Sequence, residues 1–132
     1  MSKLKIQGGQ KLQGEVKVQG AKNEALQIIS ATLLTDQECM IHNVPDIIDV
    51  SNLLNILKLA GAEVNKIETN SLSIKCKDID PKFFLSEKWK EEAGKLRGSI
   101  TLMGPALARF GTVAIPTFGG DKIGKRDRKS VV

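Results

Sequence analysis

From Asn23 onward the apolar residues switch repeatedly between a helical and an alternating period, and that switching limits the folds open to the chain. Leu26, Ile29 and Leu33 form one stripe, widened by Ile28, Ala31 and Leu34, so Asn23 to Leu34 reads as a largely buried helix. Glu38 to His42 reads as a strand, stopped by Asn43-Val44-Pro45. Val50, Leu53, Leu54, Leu57 and Ala60 then share a face, with Asp49 placed to cap this second helix and Gly61 to end it. Glu63 to Ile67 and Leu72 to Cys76 read as a hairpin around Thr69-Asn70-Ser71. Residues 77 to 95 read as charged and irregular, with a short helix near Glu87 to Glu92. Arg97 to Phe110 is predicted helical with a disturbance at Pro105, and Thr112 to Ile115 is predicted as a strand. Ahead of all these, Leu4 to Gly8 and Leu12 to Val18 read as two short strands joined by a Gly-Gly turn. The periodicity specifies an α/β class and nothing finer.

The 132 residues are enough for one modest domain. No apolar run reaches the ~20 residues needed to span a bilayer. Met1-Ser2-Lys3-Leu4-Lys5 has no apolar signal core behind it, which makes the cytoplasm the expected location. Cys39 and Cys76 lie far apart and fit no metal-ligand spacing, so both are expected as reduced, buried thiols. A single histidine and no cysteine cluster argue against a metal site, and no cofactor is expected. The net charge of +5 could suit nucleic acid, but the cations are spread along the chain and Tyr is absent, which leaves no stacking platform or basic stripe.

Two short stretches carry chemistry. Gly119-Gly120-Asp121-Lys122-Ile123-Gly124-Lys125-Arg126 combines a tight turn, one carboxylate and three cations. Glycines let a backbone approach a ligand, and the cations can meet phosphate or carboxylate oxygens. Gly20-Ala21-Lys22-Asn23-Glu24-Ala25 lies between an alternating run and a helical one, which aims a cation and an amide from a helix N-terminus, where free N–H groups favour anions. Leu96-Arg97-Gly98-Ser99, Gly104-Pro105 and Ala108-Arg109-Phe110-Gly111 lie between these two stretches.

With Ile6-Gln7-Gly8-Gly9, Leu12-Gln13-Gly14-Glu15-Val16, Asn43-Val44-Pro45-Asp46 and Leu59-Ala60-Gly61-Ala62, these segments resemble, in order and spacing, the UDP-N-acetylglucosamine 1-carboxyvinyltransferases, the enolpyruvyl transferases that open peptidoglycan synthesis. The resemblance runs from residue 3 to residue 126. It implies a partial enolpyruvyl-transferase fold, an inside-out α/β barrel of βαβαββ units. Residues 1–20 would be strands belonging to the second domain of a longer protein. Residues 21–126 would be an incomplete first domain, made of one unit and part of another. Residues 127–132 do not resemble the family's continuation; they match the translation of one frame of a common sequencing adapter and are expected to be an unrelated tail. A half-sheet cut in this way is expected to be unstable and inactive alone.

The implied reaction moves the enolpyruvyl group of phosphoenolpyruvate to the 3-hydroxyl of UDP-N-acetylglucosamine. By resemblance Asp121 is the proton donor, at a position where many members carry cysteine, the thiolate that fosfomycin alkylates. Lys22 and Asn23 would bind phosphoenolpyruvate, Arg97 the UDP-sugar, and Arg126 the phosphate of either substrate. Thr101 replaces an aromatic found in some members. The base for the sugar hydroxyl has no counterpart here. Arg109 is read as structural or functional, His42 as a strand residue, Trp89 as packing, and Gly104-Pro105 as a helix-packing device. Two further readings stay open: the shikimate-pathway relative, 3-phosphoshikimate 1-carboxyvinyltransferase, disfavoured by the Lys22-Asn23 pair and the Gly119-Gly120-Asp121 loop, and a non-enzymatic basic module for anions or nucleic acid.

Overall fold

The computed structural model describes residues 2–117. Among these residues four helices and three strands follow in the order α1 (Lys22–Ala31), β1 (Glu38–Ile41), α2 (Ile48–Ala60), β2 (Glu63–Glu68), β3 (Ser71–Lys75), α3 (Glu87–Lys95) and α4 (Met103–Phe110). Short 3-10 segments at Thr32–Leu34, Pro81–Leu85 and Arg97–Leu102 link them. The class is α/β, as the periodicity requires.

The sheet order is β1-β3-β2, with β3 antiparallel to both neighbours. β1 and β2 therefore run parallel, joined through α2, with the returning strand β3 between them. Alternation sends Leu72 and Ile74 to the helical side and Ser71 and Ser73 to the other. Both serines are buried and bonded: Ser73 Oγ donates a short hydrogen bond to the Glu38 carboxylate, and Ser71 Oγ meets His42 Nδ1 at 3.0 Å. His42, expected inside this first strand, lies one residue beyond the end of β1, where its ring meets Ser71.

Ile29, Leu33, Leu53, Leu57, Ile74 and Leu102 are sealed from solvent in one core, each side chain contributing about 1.5–3 kcal/mol by its removal from water. Phe84 stacks with Phe110 and meets Trp89 edge-on, and Trp89 Nε1 donates to the Ala114 carbonyl at 2.9 Å. Trp89 is fully buried, so it packs and offers no platform for a sugar. The charged stretch around it is more ordered than expected. Asp80 accepts from Lys82 N to start a 3-10 turn, and the Ser86 hydroxyl accepts from Trp89 N to cap α3.

Several expectations need correction. Residues 4–8 and 12–18 form no strand; Leu4 and Val16 are 87% and 92% exposed, because alternation suits a segment to a sheet but only a partner ladder makes it a strand. Thr112 to Ile115 likewise forms none, and Ala114 N makes a single bond to Phe84 O. α1 ends at Ala31 and tightens into 3-10, and Ile28 and Leu34 face solvent, so it is buried on one stripe alone. The Arg97–Phe110 helix is split: Pro105 lies in the first turn of α4, where its missing N–H costs nothing, and the preceding residues are 3-10. Asp49 does not cap α2. Ile47 occupies that position in an extended conformation, and no side chain caps the helix. Gly61 does end it, at φ 114°, a conformation that favours glycine. Cys76 is buried, but Cys39 is only partly so.

Candidate functional site: the entry to α1

The turn before α1 is built by close backbone packing. A Cβ at Gly20 would lie 1.9 Å from the Asn43 carbonyl oxygen, so only glycine fits there. Asn43 itself sits at φ 57°, and Val44 N is held by the Asn70 carbonyl at 2.8 Å. The Gly20 and Asn43-Val44-Pro45 segments, far apart in sequence, are thus two sides of one contact. That contact sets where α1 begins.

α1 begins without a helpful cap. Ala21 holds the N-cap position and has no side-chain acceptor for the first-turn N–H groups, a choice that typically costs about 1 kcal/mol relative to Ser or Asp. Lys22 then places a cation at the helix end that the peptide dipoles make positive. Both features oppose helix stability and both favour a bound anion, while Glu24 in the same turn acts in the opposite sense. Lys22 Nζ lies 3.0 Å from Asp49 Oδ2 in the first turn of α2, with both side chains partly exposed. Asp49 is the residue that sequence reasoning misplaced: expected as a helix cap, it is instead the ion-pair partner of Lys22.

The segment carrying Arg97 packs along α1. A Cβ at Gly98 would come 2.8 Å from Leu26 Cδ1, and Leu26 lies one turn beyond Lys22 on the same face. The Ser99 hydroxyl donates to the Ala93 and Leu96 carbonyls, which fixes the turn that presents Arg97 at the partly exposed surface. Lys22, Asn23 and Arg97 are therefore carried by two elements in direct contact. Asp121 and Arg126 lie outside the described residues.

Thr101, where an aromatic was the alternative, turns inward: its hydroxyl meets Ser30 Oγ at 2.6 Å and donates to Gly98 O at 2.6 Å. Gly104 is no packing device, since a Cβ there would meet nothing within 4 Å. Arg109 is structural. Its guanidinium donates to the carbonyls of Leu33, Cys76 and Lys77 and lies 5.2 Å from the Phe110 ring centroid. The Cys76 thiol is pushed up by burial, against the opposing effects of the Thr32 hydroxyl and the Arg109 charge, which leaves it a poor nucleophile. A cleft of about 230 Å³ between α2 and the sheet is lined by Val44, Pro45, Val50, Leu54, Lys58 and Lys66 among others, and by none of the candidate residues. No helix among the described residues is long and apolar enough to cross a membrane.

Comparison with known proteins extends these observations. A UDP-N-acetylglucosamine 1-carboxyvinyltransferase of Porphyromonas gingivalis is 48% identical over 126 residues, covering 96% of this chain and 29% of the relative. Proteins of the same name from Bacteroides thetaiotaomicron and Wolinella succinogenes are 46% and 42% identical over 96% of this chain. The chain spans 29% of the length of each of these relatives. The sequence model of the EPSP synthase (3-phosphoshikimate 1-carboxyvinyltransferase) family matches residues 6–131. On that match, which takes in nearly every residue, the chain belongs to this enolpyruvyl transferase family.

Proposed function

We propose that the whole protein to which this chain belongs transfers the enolpyruvyl group of phosphoenolpyruvate to the 3-hydroxyl of UDP-N-acetylglucosamine, releasing phosphate. The observation that carries the proposal is 48% identity over 96% of the chain to a relative named for that reaction. In this reading the sugar hydroxyl gives up its proton as its oxygen bonds to C2 of phosphoenolpyruvate, and the C2–C3 π electrons take a proton at C3, giving a tetrahedral intermediate. Loss of a C3 proton and of phosphate then restores the double bond.

Asp121 is assigned the proton delivered to C3. That role requires the carboxyl to carry its proton when phosphoenolpyruvate is bound. Lys22 and Asn23 are assigned to phosphoenolpyruvate and Arg97 to the UDP-sugar, with Arg126 contributing to the phosphate of either. The uncapped, cationic start of α1 supports the first pair. Residues 1–20 are assigned to a second domain and 21–126 to part of a first; the exposed apolar side chains of Leu4, Ile6, Leu12, Val16 and Val18 support that division, since they match strands awaiting a sheet.

The test is a turnover assay on the full-length gene product, with phosphate release and product mass as readouts. Enolpyruvyl-UDP-N-acetylglucosamine is the expected product, with none from the 132-residue chain alone. Transfer to shikimate 3-phosphate instead, or binding to duplex DNA with no turnover of either acceptor, overturns the proposal.

A further inference from the structure

The Lys22–Asp49 pair has features that stability does not explain. The Lys22 and Asp49 side chains are 52% and 37% exposed, and an ion pair of that kind adds little to folding. Yet it joins the first turns of two helices that approach one another, and it draws a long, flexible lysine into one direction. An ammonium has three N–H donors. Asp49 occupies one of them, which leaves two for a ligand at the uncapped end of α1.

We propose that Asp49 is the positioning residue for Lys22: its carboxylate holds the ammonium at the mouth of α1 so that the remaining donors meet an incoming phosphoryl or carboxylate group together with the free first-turn N–H groups. This rests on Lys22 being the phosphoenolpyruvate ligand. Orientation has to outweigh a simple charge effect. Asp49 is itself an anion close to the anion site, so Coulomb's law alone makes its removal tighten phosphoenolpyruvate binding. A free lysine side chain must instead be ordered at each binding event, which weakens binding. The two accounts predict opposite signs.

The experiment uses the full-length enzyme and four variants: Asp49→Asn, Asp49→Glu, Lys22→Ala and the double variant Lys22→Ala with Asp49→Asn. Asp49→Asn is expected to raise the KM for phosphoenolpyruvate ~10- to 100-fold, with kcat changed far less and the KM for UDP-N-acetylglucosamine unchanged. Asp49→Glu, which keeps the charge, is expected to recover part of the loss. In the Lys22→Ala background the Asp49→Asn change should lower kcat/KM no further, because the group it positions is gone. Unchanged thermal midpoints would show that the fold is intact. An unchanged or lower KM in Asp49→Asn overturns the proposal, as does an undiminished loss in the Lys22→Ala background. Failure of the unsubstituted enzyme to turn over is a separate result: it overturns the functional reading, and this proposal falls with it.

Discussion

The guanidinium of Arg109 donates to the carbonyl oxygen of Cys76 at 2.6 Å, tying α4 to the residue that follows β3. The same nitrogen reaches Leu33 O at 2.9 Å, just beyond α1, so a single side chain fastens three elements. Arg109→Leu is expected to destabilise the full-length protein by about 2–3 kcal/mol, since buried carbonyls would lose charge-assisted partners. Arg109→Lys should recover only part, because one ammonium cannot reproduce the planar fork. Urea unfolding measures both. A large fall in kcat with no change in stability would contradict the structural role.

Glycine substitutions should rank by what a Cβ would meet. Gly20→Ala drives an atom into the Asn43 backbone carbonyl and is expected to cost more than ~2 kcal/mol. Gly98→Ala meets only the tip of Leu26, which can turn aside, and should cost ~1 kcal/mol. Gly104→Ala enters open space within a helix and should be neutral or stabilising by up to ~1 kcal/mol. Thermal unfolding of the three variants gives the order directly, and a different order would contradict the packing described.

The Cys76 thiol predicts a specific alkaline weakness. Burial raises its folded pKa above the ordinary 9.0, while the unfolded thiol ionises near that value. The unfolded state therefore releases its proton first, and stability is lost as pH rises from about 9 toward the folded pKa, at up to ~1.4 kcal/mol per pH unit. Below that window the thiol contributes no pH dependence. Cys76→Ala should flatten this part of the stability profile even though it lowers stability throughout. In the folded protein a thiol reagent should modify Cys39 and reach Cys76 only after unfolding.

Lys22→Ala should remove far more activity than Lys17→Ala. Lys22 stands at the uncapped start of α1, whereas Lys17 is an exposed residue of the segment before it. Loss of a charge-assisted contact to a bound phosphate is worth on the order of 10²-fold in rate. Comparable small losses in the two variants would show that Lys22 is only a helix start.

Asp121 should make the full-length enzyme insensitive to fosfomycin, and Asp121→Cys should restore covalent inhibition, because a thiolate opens an epoxide readily and a neutral carboxyl does not. Asp121→Asn should abolish turnover, since an amide cannot supply the proton. Intact mass and activity after exposure to the inhibitor test both statements. Mass addition to the Asp121 enzyme, or normal turnover by Asp121→Asn, would refute the assignment.

What was legible in the sequence was local. The 3.6-residue recurrence of Leu26, Ile29 and Leu33 and of Val50, Leu53 and Leu57 specified α1, α2 and their buried stripes, because each helix has to hide one face. Asn70 between two alternating runs specified the hairpin of β2 and β3, and Gly61 the end of α2, because few residues tolerate positive φ. Motif order pointed to the family, and to Lys22 and Asn23 as neighbours at a helix start. Tertiary structure decided whatever depends on a distant partner. It placed β1 beside β3 rather than β2, left the alternating residues 4–18 without a ladder, and brought Gly20 against Asn43. It also turned Asp49 from an expected cap into the partner of Lys22, and Arg109 into a clamp on three carbonyls. Periodicity records which face of an element must be buried. The choice of what buries it, and of which charge meets which, is made between residues whose separation along the chain carries no signal.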